Sequence, residues 1–590
     1  MKTMTVGVLV AALGLAGGGF ISGSAAVSQY AANGQAMRWN LDFFDASAEP
    51  VQNPTTLAIR YTLAAEGYSS TNRVAELNAV RAAFAQWQAV PGTKVKFEEF
   101  GSILLPGDVN PLDGRNDVVW LTGNRFLNGG TTFLPASARG VTVISTADGK
   151  IAEADIVLNR NFAWFTDFNA VRPNDQFIEA IALHEIGHLL GLNHSPLGGA
   201  TMFWSNSGGV DHAAGMSADE ISGLRTLYGT AAGAASVGRV TGTVTLNGVA
   251  VLGAIVTLED ANGNAATSTA TLANGSYTLG GLAPGSYAVR VTPLDPPTSG
   301  DTYLVRGADL DVTSRATWAN GNTAFLPLTN VTVAVTANGS VTRNLAVSAG
   351  TPPFRIVEMR LGTNPAARSA GDICVQLKPG VAGQTVGVFV PGLMATNAVL
   401  RLTGEGVSYG PTEVLPGALR SLTLVQVPVT VASNAAAGLR TLSVTANGFT
   451  AWANGFAEIL PANPDFNLDG LDDRFQRRYF DPFTQNTAGP EQDPDGDGFV
   501  NRREATMGSD PTKASSVNWR ISSVKLAAPG TTVTWESAPG RKYQVYARDN
   551  LVGATWQAIG GVLTVAGESG QLLDTRPTDQ LRFYQVRDVP

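Results

Sequence analysis

The segment His184-Glu185-Ile186-Gly187-His188-Leu189-Leu190-Gly191-Leu192-Asn193-His194 holds three of the four histidines in a chain of 590 residues. Its reading decides the fold of the region around it. If Asp175 or Asn174 caps a helix that runs on to Leu190, His184 and His188 stand four residues apart on one face. Imidazoles one turn apart can both reach a single ion at about 2.0–2.1 Å. A straight helix would carry a histidine at 194 away from that ion. Gly191 ends the helix and can take a positive φ, so the chain can fold His194 back toward the other two. Three nitrogen ligands leave the fourth tetrahedral position of a zinc ion to water, which a catalytic site needs and a structural site lacks.

Glu185 is rotated about 100° around the helix from His184 and is expected to face that water rather than the ion. Zinc lowers the pKa of its water to about 7, a carboxylate accepts the proton, and the hydroxide attacks a carbonyl polarised by the same ion. Glu185 can then hand the proton to a leaving amine, so the chemistry expected here is hydrolysis of a peptide bond. A core or capping role is the alternative, but so few histidines seldom fall into this pattern by chance. His212, beside Asp211 in a Gly-rich loop, has no such partner pattern and reads as a surface residue.

Composition bounds the rest. At roughly 100–200 residues per domain, the length calls for about three to six units. Hydrophobic residues at 44% against 15% charged exclude a charge-rich disordered chain, and a net charge of −8 argues against a general nucleic-acid partner. The single Cys374 excludes a disulfide framework and a CxxC zinc site. With 66 glycines among runs of Val, Thr, Ala and Asn, much of the chain should be short strands and tight turns. Lys2, an apolar stretch from Val6 to Phe20 and the pattern Ser24-x-Ala26 read as a signal peptide over 1–26. The alternative is a membrane anchor, but the stretch is Gly-interrupted and short of the ~20 apolar residues a span needs. A secreted, extracellular or cell-surface protein with no membrane span after cleavage is expected.

Residues 27–232 alternate helical and strand patterns, an α+β organisation. Strands are expected over 55–63, 94–100, 117–122, 141–146 and 153–158, and a helix over 72–90 stopped by Pro91-Gly92. Ser217 with Glu220 forms a capping box for a further helix to Tyr228, and 233–236 reads as a linker. Beyond it, β modules are expected over 236–350, 351–460 and 516–590, with an acidic segment over 461–515.

At the histidine segment the sequence resembles the metzincin metalloproteases, and among them the matrixins. Ser195 follows the third histidine as in that family, and Met202 stands where matrixins place the methionine of the turn beneath the zinc. The stretch from Ser217 to Gly229 is similar to the closing helix of the matrixin domain, and 80–87 to its first helix. The resemblance covers residues 38–230 and implies a twisted, mostly parallel sheet with an antiparallel edge strand over the cleft. It assigns His184, His188 and His194 to zinc, Glu185 to the general base, and Gly191 and Met202 to support of the site. Phe203-Trp204 replaces the family's Tyr-Pro, the propeptide cysteine is missing, and the histidines of the family's second zinc are not found.

Downstream, Asp493, Asp495, Asp497, the Phe499 carbonyl, Asn501 and Glu504 fit the oxygen ligands of an EF-hand calcium loop, with Gly498 at its sharp turn. An earlier loop offers Asp465, Asn467, Asp469, Leu471 and Asp473, but has Gln476 where the bidentate Glu belongs, so it should bind more weakly. The pair resembles dockerin and thrombospondin type 3 calcium repeats, and the alternative is a solvated acidic linker. Gly253-Ala254-Ile255-Val256, Gly275-Ser276-Tyr277-Thr278-Leu279 and Gly281 to Tyr287 resemble the carboxypeptidase regulatory-like domain, and 351–460 an immunoglobulin-like module. Trp535, Tyr543, Trp556 and Tyr584 read either as sandwich core or as a sugar-binding platform.

Together these features imply a multidomain chain, an α+β metzincin catalytic domain followed by all-β sandwich modules and a short calcium-binding segment. They imply a secreted zinc endopeptidase acting on proteins or peptides, with one catalytic Zn2+ and structural Ca2+, held to a cell surface or matrix by its β modules. The multi-module pattern looks bacterial. The alternative is an exported adhesion or substrate-binding protein with an idle zinc domain, which the intact Glu185 opposes.

Overall fold

The computed structural model describes residues 7–12, 36–44, 50–103, 109–110, 113–127, 132–147, 149–170, 172, 175–203, 214–272, 274–293, 325–361, 374–419, 422–516, 521–537, 540–550, 552–553, 555–576 and 581–589. The chain divides into two compact units, Met1–Asn467 and Leu468–Pro590.

The first unit opens on a six-stranded sheet. In chain order its elements are β1 (Gly7–Ala12), β2 (Ile59–Ala64), α1 (Arg73–Ala89), β3 (Phe97–Ile103), β4 (Asp117–Leu121), then a hairpin of β5 (Arg125–Leu127) and β6 (Thr132–Leu134), β7 (Gly140–Ala147) and β8 (Lys150–Asn159). The sheet order is β1-β7-β8-β4-β2-β3. Strands β3, β2, β4 and β8 run parallel, and β7 turns antiparallel to β8. The fold is therefore α+β with a mostly parallel sheet, but the antiparallel β7 is not the edge strand that the family resemblance implies, because β1 pairs on its outer side. Strand β1 lies antiparallel on the outer side of β7, with Gly7 opposite Thr146 and Ala12 opposite Val141. It falls within the apolar stretch expected to be a leader; the cleavage pattern at 24–26 lies outside the described residues, as does His212.

Helices α1 and α2 (Ile178–Leu189) cover the sheet. Apolar side chains of α1, among them Val80, Phe84 and Trp87, meet Ile181, Leu183 and Ile186 of α2 and Ile59, Trp120 and Ile156 of the sheet in one core. Every residue of α2 is buried, so its polar ends need partners inside the protein. Trp39 Nε1 donates to the Leu189 carbonyl at the helix end (2.8 Å), while Trp87 Nε1 donates to the Leu183 carbonyl in its middle (2.9 Å). The Tyr228 hydroxyl donates to the Leu190 carbonyl (2.7 Å), reaching it from α3 (Ala218–Tyr228). Helix α3 starts on the expected capping box of Ser217 and Glu220. It is followed by α4 (Ala231–Ser236).

Three local expectations are corrected. The strand expected from residue 55 begins only at Ile59, because Asn53 accepts the amides of Thr55 and Thr56 in a turn and Leu57 takes a φ of 59°. Asp175 does not cap α2, since Gln176–Phe177 is drawn into a parallel pairing with Trp164–Phe165 and the helix starts after Phe177. The expected linker over 233–236 is the helix α4, whose Ala-rich turn is capped by the Thr230 hydroxyl accepting from Gly233 N.

After α4 the first unit is all β. Strands between Gly238 and Ala349 form two sheets, and strands between Glu358 and Ile459 form two more. The second unit carries helices Asp473–Tyr479 and Asn501–Met507, then two three-stranded sheets. Trp535 and Tyr543 lie fully buried in the core between those sheets. A sugar platform that includes them is thereby excluded, and the sandwich-core reading holds for both. Among the described residues, no helix is long and apolar enough to cross a membrane.

Gly191 has a φ of +87°, and a Cβ there would overlap the Met37 carbonyl oxygen. Gly191→Ala is therefore expected to destabilise the first unit by about 2 kcal/mol or more. Denaturant unfolding of the full chain checks this; an unchanged midpoint would show that the turn does not need glycine.

Candidate metal centre and active site

The turn of α2 around Gly187 and the reversal at Gly191 bring three rings together. Ring centroids of His184 and His188 are 4.7 Å apart, those of His188 and His194 4.9 Å, and those of His184 and His194 5.3 Å. Each histidine offers a ring nitrogen such that the three lie within 4.8 Å of one another, and all three residues are buried. In two of the rings the nitrogen facing away is fixed by a backbone carbonyl. His184 Nδ1 lies 2.7 Å from the Thr201 carbonyl and His188 Nδ1 2.8 Å from that of Leu192. A carbonyl can only accept, so each Nδ1 carries the hydrogen and each Nε2 keeps its lone pair for a ligand. Burial keeps these rings neutral. His184 is held well below the usual histidine range by desolvation and then by His188, while desolvation brings His188 to about 4.

Whether these residues suit a metal is answered by atoms left over. His184 Nε2 and Glu185 Oε1 are fully buried and have no hydrogen-bond partner. Bare acceptors in a dry interior are costly unless something binds them, and a cation at the three rings would do so. The donor set of three imidazoles suits zinc. Met202 lies beneath the site: its sulfur occupies the space that a Cβ at Gly187 would need, so the glycine permits the close approach.

Glu185 is held from strand β7. The Thr142 hydroxyl of β7 donates to Glu185 Oε2 (2.6 Å), leaving Oε1 buried without a hydrogen bond. Gly140 leaves room for it, because a Cβ there would press on Oε1. Burial pushes the Glu185 carboxyl up to about 8 and the Thr142 bond pulls it down. A neighbouring cation would also pull it down. Sequence reading missed Thr142 and Gly140, since neither carries a motif and both sit more than forty residues before Glu185.

The second acidic loop gathers Asp493, Asp495 and Asp497, each offering an oxygen within 4.8 Å of the others. Gly496 and Gly498 turn it with φ of 74° and 91°. Asn501 spends its amide nitrogen on the Thr487 and Gly489 carbonyls (2.8 and 2.7 Å), which leaves Oδ1 buried without a hydrogen bond. Asp495 Oδ2, Asp497 Oδ2 and Glu504 Oε2 are in the same condition. Burial, with the three aspartates adding to it, pushes Glu504 up to about 7. Such a set of hard oxygens without hydrogen-bond donors fits calcium, with the Arg541 guanidinium 3.8 Å from Asp497 Oδ2 as a competing cation. The Phe499 side chain is buried beside the loop. The earlier loop is not among the groups gathered in the described residues. Within it, Asp469 accepts from Gln476 Nε2 (2.7 Å), while Leu471 and Asp473 are buried at the start of a helix. Asp465 and Asn467 close the first unit and Asp469 belongs to the second.

Residues 126–229 match the family model of matrixin, 239–311 that of the carboxypeptidase regulatory-like domain, and 493–514 that of the bacterial TSP3 repeat. The chain carries a matrixin domain. The match supports a zinc metalloprotease at the level of the family, and the TSP3 repeat implies calcium. A short stretch is similar to Metalloendoproteinase 5-MMP of Arabidopsis thaliana, 50% identical over 52 residues, or 9% of this chain. The matched part is 14% of that relative. Among solved structures, the Bacillus anthracis TIE protein is 10% identical over 60% of this chain and 45% of its own, with a TM-score of 0.13. Titin domains are 9% identical over 57% of this chain and 82% of theirs, with a TM-score of 0.10. The TSP3 repeat is compatible with secretion.

Calcium at 100-fold above its dissociation constant is expected to stabilise the second unit of this matrixin-bearing chain by about 2.7 kcal/mol. Calorimetry with and without calcium reads this shift, and Glu504→Gln should remove most of it. An equal shift in the variant would take Glu504 out of the ligand set.

Proposed function

We propose that the chain is a secreted zinc-dependent endopeptidase, with His184, His188 and His194 as the zinc ligands and Glu185 as the general base. The observation that carries the reading is the joint burial of three converging imidazoles and one carboxylate oxygen that accepts nothing from the protein. A structural zinc site would close its fourth position with another side chain and would have no use for such a carboxylate. When bound, zinc supplies Lewis acidity toward a carbonyl and an acidified water. The chain's own residues do the rest. Glu185 takes a proton at Oε1 and returns it to the leaving amine, while Thr142 fixes its other oxygen. The carbonyls of Thr201 and Leu192 hold two rings in the orientation that ligation needs. The substrates are proteins or peptides, and the leader expected over 1–26 directs export. Asp493, Asp495, Asp497, Phe499, Asn501 and Glu504 hold a structural calcium ion in this reading.

The test compares the full chain and Glu185→Gln, at matched zinc content, on an unfolded protein substrate. Cleavage by the parent is expected to stop with a chelator and to fall about 10²–10⁴-fold in the variant. Equal cutting by both would remove Glu185 from the mechanism. Bound zinc with no cutting in either would favour an idle domain on a binding protein.

A further inference from the structure

The loop from His194 to Phe203 leaves the histidine cluster and returns beneath it, and it is held from three parts of the chain. From α3, Asp219 accepts from the Ser195 hydroxyl (2.6 Å) and Glu220 from the Met202 amide (2.8 Å). Ser195 and Met202 are joined to each other, amide to carbonyl, at 2.7 Å. From the regulatory-like module, the Thr267 hydroxyl and the Ser268 amide donate to the other oxygen of Asp219 (2.8 and 2.9 Å). From the module after it, the carbonyls of Asn454 and Gly455 accept the amides of Gly198 and Gly199 (3.1 and 2.8 Å). Phe203 leaves the catalytic region altogether and packs edge to face on Phe456 (5.4 Å) in that module's core. Side chains at 198 and 199 would overlap Phe456 and Leu439, so the Gly-Gly pair is what lets this module approach. The two modules are in turn joined through buried Arg290, which pairs with Glu259 (2.7 Å) and donates to Asn454 (3.3 Å).

We propose that the two β modules following the matrixin domain are walls of its metal site, and that Asp219 is the positioning residue through which the first of them sets the His194 loop. This rests on the reading of the three histidines as zinc ligands. The physical ground is where the bonds land. Asp219 is fully buried, and its carboxylate is shared between a donor one residue from His194 and two donors from another module. A fully desolvated carboxylate that loses one donor must move or reorient, and Ser195 moves with it. A contact serving only to dock the modules would have no reason to end beside a metal ligand. Outer partners of metal ligands typically tune affinity about 10–100-fold.

The test is zinc affinity of the full chain by chelator competition, with the visible spectrum of the cobalt-substituted chain as a second readout. Thr267→Val removes one donor from a strand far from the histidines in sequence. It is expected to weaken zinc binding about 10-fold or more and to shift the cobalt bands, while Thr267→Ser keeps both near the parent values. Ser195→Ala reads the same carboxylate from the catalytic side. The double variant should fall no further than the stronger single one. If Thr267→Val lowers only the unfolding temperature, with zinc affinity and cobalt bands unchanged, the modules merely dock and the proposal fails. A parent chain that binds no zinc would overturn it together with the reading on which it rests.

Discussion

A helix that ends inside a protein must find partners for its last carbonyl groups, and α2 ends in the middle of the first unit's core. Trp39 and Tyr228 satisfy the Leu189 and Leu190 carbonyls, and the chain reverses at Gly191 in a conformation that side chains avoid. That reversal returns the Leu192 carbonyl to His188 and carries His194 to the cluster. The metal centre and the termination of the helix are thus one piece of construction. The residues that finish the helix come from positions 39 and 228, far from it in sequence on either side, so the placing of the third histidine depends on both.

The carboxylate beside the cluster follows the same economy. Strand β7 supplies the hydroxyl of Thr142 and the empty space at Gly140, so the strand that flanks Glu185 also orients it. Two buried acceptors without a hydrogen bond, His184 Nε2 and Glu185 Oε1, belong to the candidate metal site, where a cation would give them a partner. The acidic loop of the second unit repeats this logic with oxygen in place of nitrogen, at Asp495, Asp497, Asn501 and Glu504.

What could be read in the sequence was what is local. The i, i+4 histidines, the glycine turn, the capping box of Ser217 and Glu220 and the acidic loop each sit within about a dozen residues, where spacing alone constrains geometry. The mixed α+β fold was also legible, because helical and strand periods alternate up to Tyr228 and strands predominate after it. Contacts that cross the chain left no such trace. Thr142 meets Glu185 across 43 positions and Thr267 meets Asp219 across 48, and nothing in their neighbourhoods distinguishes them from other threonines in strands. Local reading also failed where tertiary pairing overrode it. Asp175 is a good capping residue by type, yet the strand pairing at Gln176–Phe177 moves the helix start past it. Trp535 and Tyr543 carry no sign of which sheet face they occupy, and burial decided it.

The account stands on an open site of three imidazoles. X-ray absorption at the zinc edge of the loaded full chain tests this most directly. It should show three imidazole nitrogens and one water oxygen at about 2.0–2.1 Å, with the oxygen replaced when a small zinc-binding inhibitor is added. A fourth protein ligand that no inhibitor displaces would mean a closed, structural site and would contradict the account.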